Sequence, residues 1–296
     1  MYHLLLSLRS TFILSVLCLI STSACHPERT ESIKLMNHGL RAFKSGLVSD
    51  AIRDLEQAAR VDPTNDRAHF YQGIILNELG RGNGDPDHFE SAARALKKSI
   101  EVNSQDAESH YQLGVAQVEL RYFKKAIEAF KLAIGLKESH GEAQFRMGLA
   151  LQQIEKYNDA QDAFHAAIRA KPQISKSYTA LSQLYVRFKQ PAPAAQVLKN
   201  AIENHPDVFE HYRDLGLIYE GQGQLSKAIQ LYEDASKRQT KQTSIDYLLA
   251  QAYFKSKDYR SSEIFIKRYL GRSHSQEERL QVIAAQKLML MIRKSK

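Results

Sequence analysis

Cysteine is almost missing from this sequence. Of 296 residues only Cys18 and Cys25 carry a thiol. A leader ending at residue 24 would take Cys18 with it and leave one cysteine, so no internal disulfide could brace the mature fold. Tryptophan is absent and proline occurs 7 times. Patterns that carry chemistry are absent too. There is no phosphate-cradling Gly-Lys-Ser run, no nucleophile elbow and no His-Glu-x-x-His pair. The 11 histidines are scattered. His69 and His110 fall at equivalent places of a repeat, which points to structure rather than to a metal. The sequence therefore predicts no catalytic residue, no metal ligand set and no cofactor.

Acidic residues are missing from the first 24 positions, where Arg9 is the only charge. An apolar run from Thr11 to Ile20 follows, then Ser21-Thr22-Ser23-Ala24-Cys25. A basic start, a short apolar stretch and small residues before a cleavage point make a secretory signal, 1–24. The run is too short to span a bilayer, which takes about twenty residues. The stretch resembles the bacterial lipoprotein signal, although Thr22 stands where an apolar residue such as Leu is usual. That resemblance implies lipidation of Cys25 and a membrane anchor. The alternative is an ordinary cleaved signal and a soluble periplasmic or secreted protein. His26, where Asp would resemble an inner-membrane retention signal, leans the expectation towards the outer membrane. Residues 25–31 read as a short tether, about 20–25 Å long when extended.

Charge is not spread evenly. The net charge is +8, and from Lys255 to Lys296 there are 11 basic and 4 acidic residues. The basic end comprises Lys267, Arg268, Arg272, Arg279, Lys287, Arg293 and Lys294, among others, and suits an acidic protein surface or anionic lipid. Few aromatics accompany it, and an exported chain seldom meets nucleic acid, so none is expected.

What the sequence does have is a period. Ala92, Ala126, Ala160, Ala194, Ala228 and Ser262 are spaced by thirty-four, and so are Gly114, Gly148, Ser182, Gly216 and Ala250. That period names a helical pair repeated along the chain. Seven units follow, at 32–65, 66–106, 107–140, 141–174, 175–208, 209–242 and 243–270, with a basic capping helix in 271–296. The second unit is seven residues longer than the third. Its extra stretch, Arg81 to Asp87, reads as a flexible surface loop; Asn83, Asp85 and Asp87 look faintly like a calcium loop that lacks its bidentate Glu. Gly inside a helix costs about 1 kcal/mol relative to Ala. Recurrent glycines therefore predict close helix approach, with the Ala row facing them and Phe130, Phe164, Leu198 and Tyr232 filling the adjacent hole. Ser275-Gln276-Glu277-Glu278 reads as a capping box before the last helix. That helix either shields the end of the array or lies on a membrane surface.

The small–aromatic–small–proline positions resemble the tetratricopeptide repeat family from Ser32 to about Leu270. The resemblance implies an all-α, right-handed α-solenoid that binds protein or peptide along the first helix of each pair. The residues beside each small one, Met36, Leu40, Phe70, Ile74, Tyr111, Val115, Phe145 and Leu149, would give an apolar groove in the first four units, with more polar positions later. The alternative is that they widen the inter-helix core. Met36, Leu40 and Tyr71 stand where one subfamily carries a carboxylate clamp, so that clamp is not expected. The reading is a non-catalytic scaffold in a bacterial cell envelope. Two alternatives stay open: a pilotin-like assembly factor for a secretin or type IV pilus, and a regulator of an envelope or peptidoglycan enzyme.

Overall fold

The computed structural model describes residues 27–238, 244–272 and 279–295. The leader, Cys25 and the expected capping box at 275–278 lie outside the described residues. Fifteen α-helices and no strand occur among the described residues, and they fall into two compact units, Met1–Glu138 and Ser139–Lys296. The first holds α1 (Pro27–Lys44), α2 (Val48–Val61), α3 (Asp66–Asn83), α4 (Pro86–Val102), α5 (Ala107–Glu119) and α6 (Phe123–Leu136). The second holds α7 (Gly141–Gln153), α8 (Tyr157–Ala170), α9 (Ser175–Arg187), α10 (Pro191–Asn204), α11 (Phe209–Gly221), α12 (Leu225–Arg238), α13 (Ser244–Lys255), α14 (Tyr259–Leu270) and α15 (Arg279–Ser295). The chain is thus an all-α repeat array of seven pairs and one further helix.

Each pair is held by one small residue set against one large one. A Cβ placed on Gly114 would sit 2.6 Å from Phe130 Cε1, and one on Gly148 2.5 Å from Phe164 Cε1. On Gly216 it would meet Tyr232 Cε1 at 2.2 Å, and on Gly73 it would meet Leu96 Cγ at 2.4 Å. The glycine therefore makes room for the bulky residue of its own partner helix, not for the alanine row. The alanines are wholly buried nearby. Only at Gly39 does the backbone of that row close in, with Ala51 O 3.0 Å from the added Cβ. Burying a ring of this kind contributes about 1.5–3 kcal/mol, more than the roughly 1 kcal/mol a helical glycine costs.

A third row keeps the same spacing and goes beyond the two small-residue rows. Arg121, Glu155, Lys189, Gly223 and Lys257 sit at the corner between the helices of a pair, all with positive φ, from 57° at Lys189 to 73° at Gly223. The next residue then donates its N–H back to the last turn: Tyr122 N to Gln117 O at 2.8 Å, Gln190 N to Tyr185 O at 2.8 Å. This is the six-to-one bond of a Schellman stop. Gly46 and Gly84 turn the first two corners with φ of 80° and 72°, and Gly223 the sixth. Glycine makes a left-handed corner free of strain, but the other four corners use Arg, Glu and Lys, so residue type alone does not mark the row.

One expected tether is largely helical, and the expected loop from Arg81 to Asp87 is reduced to a short turn at Gly84 and Asp85. Residues 27–31, expected as tether, are the opening of α1; Pro27 starts a helix well because its fixed φ already suits one. The insertion in the second unit lengthens both helices, α3 to 18 residues and α4 to 17, against 13 and 14 in the next pair. Its polar residues turn the chain: Asp85 Oδ1 accepts from Asp87 N at 3.0 Å, and Asn83 Oδ1 accepts from Asp85 N at 3.1 Å. The added turn carries its own small–large pair, since a Cβ on Gly80 would meet Phe89 Cζ at 2.8 Å.

At the far end, Tyr269 replaces the small residue of earlier units and is fully buried. It packs with Ala250 and Ile266 against Ala285, Leu288 and Ile292 of α15, which closes the last pair.

Candidate functional site

The residue three before each small one was expected to face a partner. In several pairs it lies on the bulky core residue instead. Tyr111 lies tilted at 6.0 Å from Phe130, Phe145 at 6.0 Å from Phe164, and Tyr247 at 5.4 Å from Tyr269, centroid to centroid. These rings, like Met36, are half-buried. Phe70 goes further in and is buried with Leu96 and Leu113; Val115 is buried completely. Neither can be touched by a partner, which corrects that part of the expectation. Leu40, Ile74 and Leu149 are half-buried. The cause is angular: these rows lie about 100° from the core row, close enough for long side chains to lean inward.

The cover changes in the fifth and sixth pairs. Thr179 stands in place of a ring, its partner is Leu198, and Arg213 is turned aside by an ion pair with Asp214, Nε to Oδ1 2.8 Å. A cavity of about 560 Å³ opens among α9, the start of α10 and α11. Ser182, Gln183 and Val186 line it from α9, Lys189 and Pro191 from the corner, and Asp214, Leu217, Ile218 and Gly221 from α11. Val186 is 51% exposed and Leu217 48%, which is unusual for residues bordering a pocket between packed helices. That size and mixed lining fall in the range of ligand sites. By sequence this stretch belongs to the polar half of the array; Val186 and Lys189 lie on no period-locked apolar row.

The sequence family described as tetratricopeptide repeat matches residues 36–82, 107–140 and, in overlapping segments, 145–277, more than half of the chain. The chain belongs to the tetratricopeptide repeat family. No curated protein sequence matches it. Among solved structures it is similar to a tetratricopeptide repeat protein from Parabacteroides merdae, at 14% identity and TM-score 0.55, covering 89% of this chain and 99% of that one. It is similar to PilF of Pseudomonas aeruginosa, at 16% identity and TM-score 0.52, covering 76% and 97%. It is also similar to YrrB, described as having an unusual peptide-binding site, at 20% identity and TM-score 0.51, covering 66% and 99%. These likenesses are of fold.

The basic end of this tetratricopeptide repeat protein divides in two. Arg268 Nε donates to Asp246 Oδ1 at 2.8 Å, its Nη2 joins the same oxygen, and Arg272 Nη2 stands 3.4 Å from Oδ2. Lys267 pairs with Glu263 at 2.7 Å. Each of the three has an ion pair within the chain, while the side chains of Lys267 and Arg268 remain 60% and 44% exposed. Arg279, Lys287, Arg293 and Lys294 are exposed on α15.

The histidines brace the repeats. His110 Nε2 lies 3.0 Å from Ser104 O and His205 Nε2 2.8 Å from Pro172 O. His211 is wholly buried, with Nε2 2.9 Å from Ser175 Oγ. Among the described residues no group of His, Cys, Asp and Glu is placed to hold a metal. Burial, then the neighbouring His205, pushes His211 below its ordinary value of 6.5, against smaller opposing effects of Asp214 and Glu210. Burial lowers His69 and His165 as well. A depressed histidine is neutral in the fold and protonates more readily when unfolded. Stability is therefore kept above the ordinary value and lost as pH falls through it towards the folded value. Thermal melts should be level above about pH 7 and drop towards about pH 5, less steeply in His211→Gln. Equal slopes in the two proteins would remove His211 from the account.

Proposed function

We propose that this protein is a non-catalytic scaffold that binds a peptide or short helix in the cavity of the fifth and sixth pairs. The observation that supports this is the pairing of exposed Val186 and Leu217 over the 560 Å³ cavity. The exposed Gln183 beside them offers a donor and an acceptor to a peptide backbone. The exposed Lys189 in the lining would orient a ligand that carries negative charge. Peptide binding is a property of the family, and the description of YrrB gives one instance.

The test is selection of a random peptide library on the wild-type protein, followed by affinity measurement on Val186→Asp/Leu217→Asp. Both side chains are half exposed, so the variant should melt close to wild type. Enriched peptides should bind the variant at least tenfold more weakly, about 1.4 kcal/mol. Equal binding to both proteins would place the site elsewhere.

We further propose that Cys25 is acylated after cleavage at residue 24 and that the scaffold serves a bacterial envelope, with the outer membrane favoured by His26. Among the described residues no helix is long and apolar enough to cross a membrane. Metabolic labelling with a fatty acid tests the anchor. Label should appear on the wild type and vanish in Cys25→Ser; persistence in that variant would defeat the anchor.

A further inference from the structure

We propose that the outer face of α15 is a docking surface for an anionic lipid bilayer. The helix has two faces with different fates. Ala285, Leu288 and Ile292 are buried against Ala250, Ile266 and Tyr269, so the helix cannot rotate without giving up that core. The opposite face keeps large apolar side chains in water: Leu280 is 81% exposed, Leu290 56%, Met291 50% and Ile283 41%. Positions 280, 283, 287, 290 and 294 follow at steps of three and four, which is one stripe of a helix. Lys287 and Lys294 are the exposed members of that stripe that are not apolar. No acidic residue occurs between Arg279 and Ser295.

Charge and shape together choose the occupant. A second copy docking through this face in a two-fold arrangement would bring the same lysines together, and like charges at an interface oppose association. A protein pocket of fixed shape suits side chains that enter it from a rim, whereas Leu280 and Leu290 stand out from the surface. The headgroup boundary of a bilayer is deformable, accepts apolar side chains a few ångströms deep and, when anionic, attracts lysine at the same depth. α15 is about 25 Å long, long enough to lie along such a surface with both lysines at headgroup level. The contact uses none of the residues that line the cavity of the fifth and sixth pairs.

The absence of tryptophan supplies the test. Leu290→Trp in the full chain places a single indole on the proposed face. Its emission should move to shorter wavelength when vesicles of equal parts phosphatidylglycerol and phosphatidylcholine are added, and remain unmoved with phosphatidylcholine alone. Reversing Lys287 and Lys294 to Glu in the same background should weaken partitioning about twenty-five-fold or more, at roughly fivefold per lysine. Added salt should weaken it too. The indole reports from α15, so vesicle binding by the N-terminal leader does not mimic the signal. No shift on anionic vesicles overturns the proposal, and so does an equal shift on both kinds. A shift that grows with protein concentration in the absence of lipid also overturns it, because the face would then be a contact between copies. Ala284 is half-buried, on the helix edge between the two faces. Ala284→Trp should shift less than Leu290→Trp; an equal shift would overturn the proposed seating, because the helix would have left its place.

Discussion

Replacing Arg268 with alanine should lower the stability of the second compact unit by about 3 kcal/mol. Asp246 is 1% exposed, and two N–H groups of Arg268 converge on one of its oxygens. Removing one partner of a buried pair leaves an uncompensated charge, which costs about 3–5 kcal/mol. Arg272 stays near the other oxygen at 3.4 Å, so the lower end of that range applies. Arg268 also lies over the Phe265 ring, 4.7 Å from its centroid, and alanine would uncover that ring. The reverse change, Asp246→Asn, should cost less, about 1 kcal/mol, because the Arg268 side chain is 44% exposed and can turn to water. Urea melts of both variants measure the asymmetry. Should Arg268→Ala unfold within about 0.5 kcal/mol of wild type, the buried pair contributes nothing that the fold needs.

Gly148→Leu should be comparably severe. The new Cβ would lie 2.5 Å from Phe164 Cε1, and Phe164 is completely enclosed. The ring is rigid and packed on its far side, so it cannot give way as a flexible side chain would. Overpacking of this kind costs about 1–3 kcal/mol for a few added methylenes, and the whole leucine belongs at or above the top of that range. In a unit of this size each kcal/mol shifts the melting temperature by roughly 2–4 °C, so a fall of about 6–12 °C is expected. Phe164→Leu in a Gly148→Ala background should recover much of the smaller loss, because the fifth pair already lives with Ser182 opposite Leu198. An unchanged melting temperature in Gly148→Leu would mean that the small row has no part in joining the helices.

The fold is legible because small and bulky residues recur at one spacing, and a recurrent spacing survives ignorance of the details. Pro191, for example, fixes the start of α10 from sequence alone. The site is less legible. Whether Tyr111 faces a ligand or the core depends on Phe130, a residue nineteen positions away in sequence and 6.0 Å away in space. Asp246 offers a second case. It sits in the run Ile245 to Ala250, where nothing local announces that an acid will be buried and will draw Arg268 and Arg272 inward. Two residues of the basic end counted from sequence are therefore tied to a buried acid. The cavity of the fifth and sixth pairs is lined by Val186 and Lys189, which lie on no period-locked apolar row, so the repeat does not announce it.

The lengthened second pair carries a rule about growth. Its spare contact, Gly80 with Phe89, repeats Gly73 with Leu96 at seven residues' remove on each arm. The insertion adds seven residues in all, about one turn of helix to each arm, so both arms return to nearly the same facing after the addition. Extension is thus quantised: a hairpin can be made longer by whole paired turns while its base stays in register with the neighbours. Inserting two or five residues at the same corner would swing the new side chains off the seam.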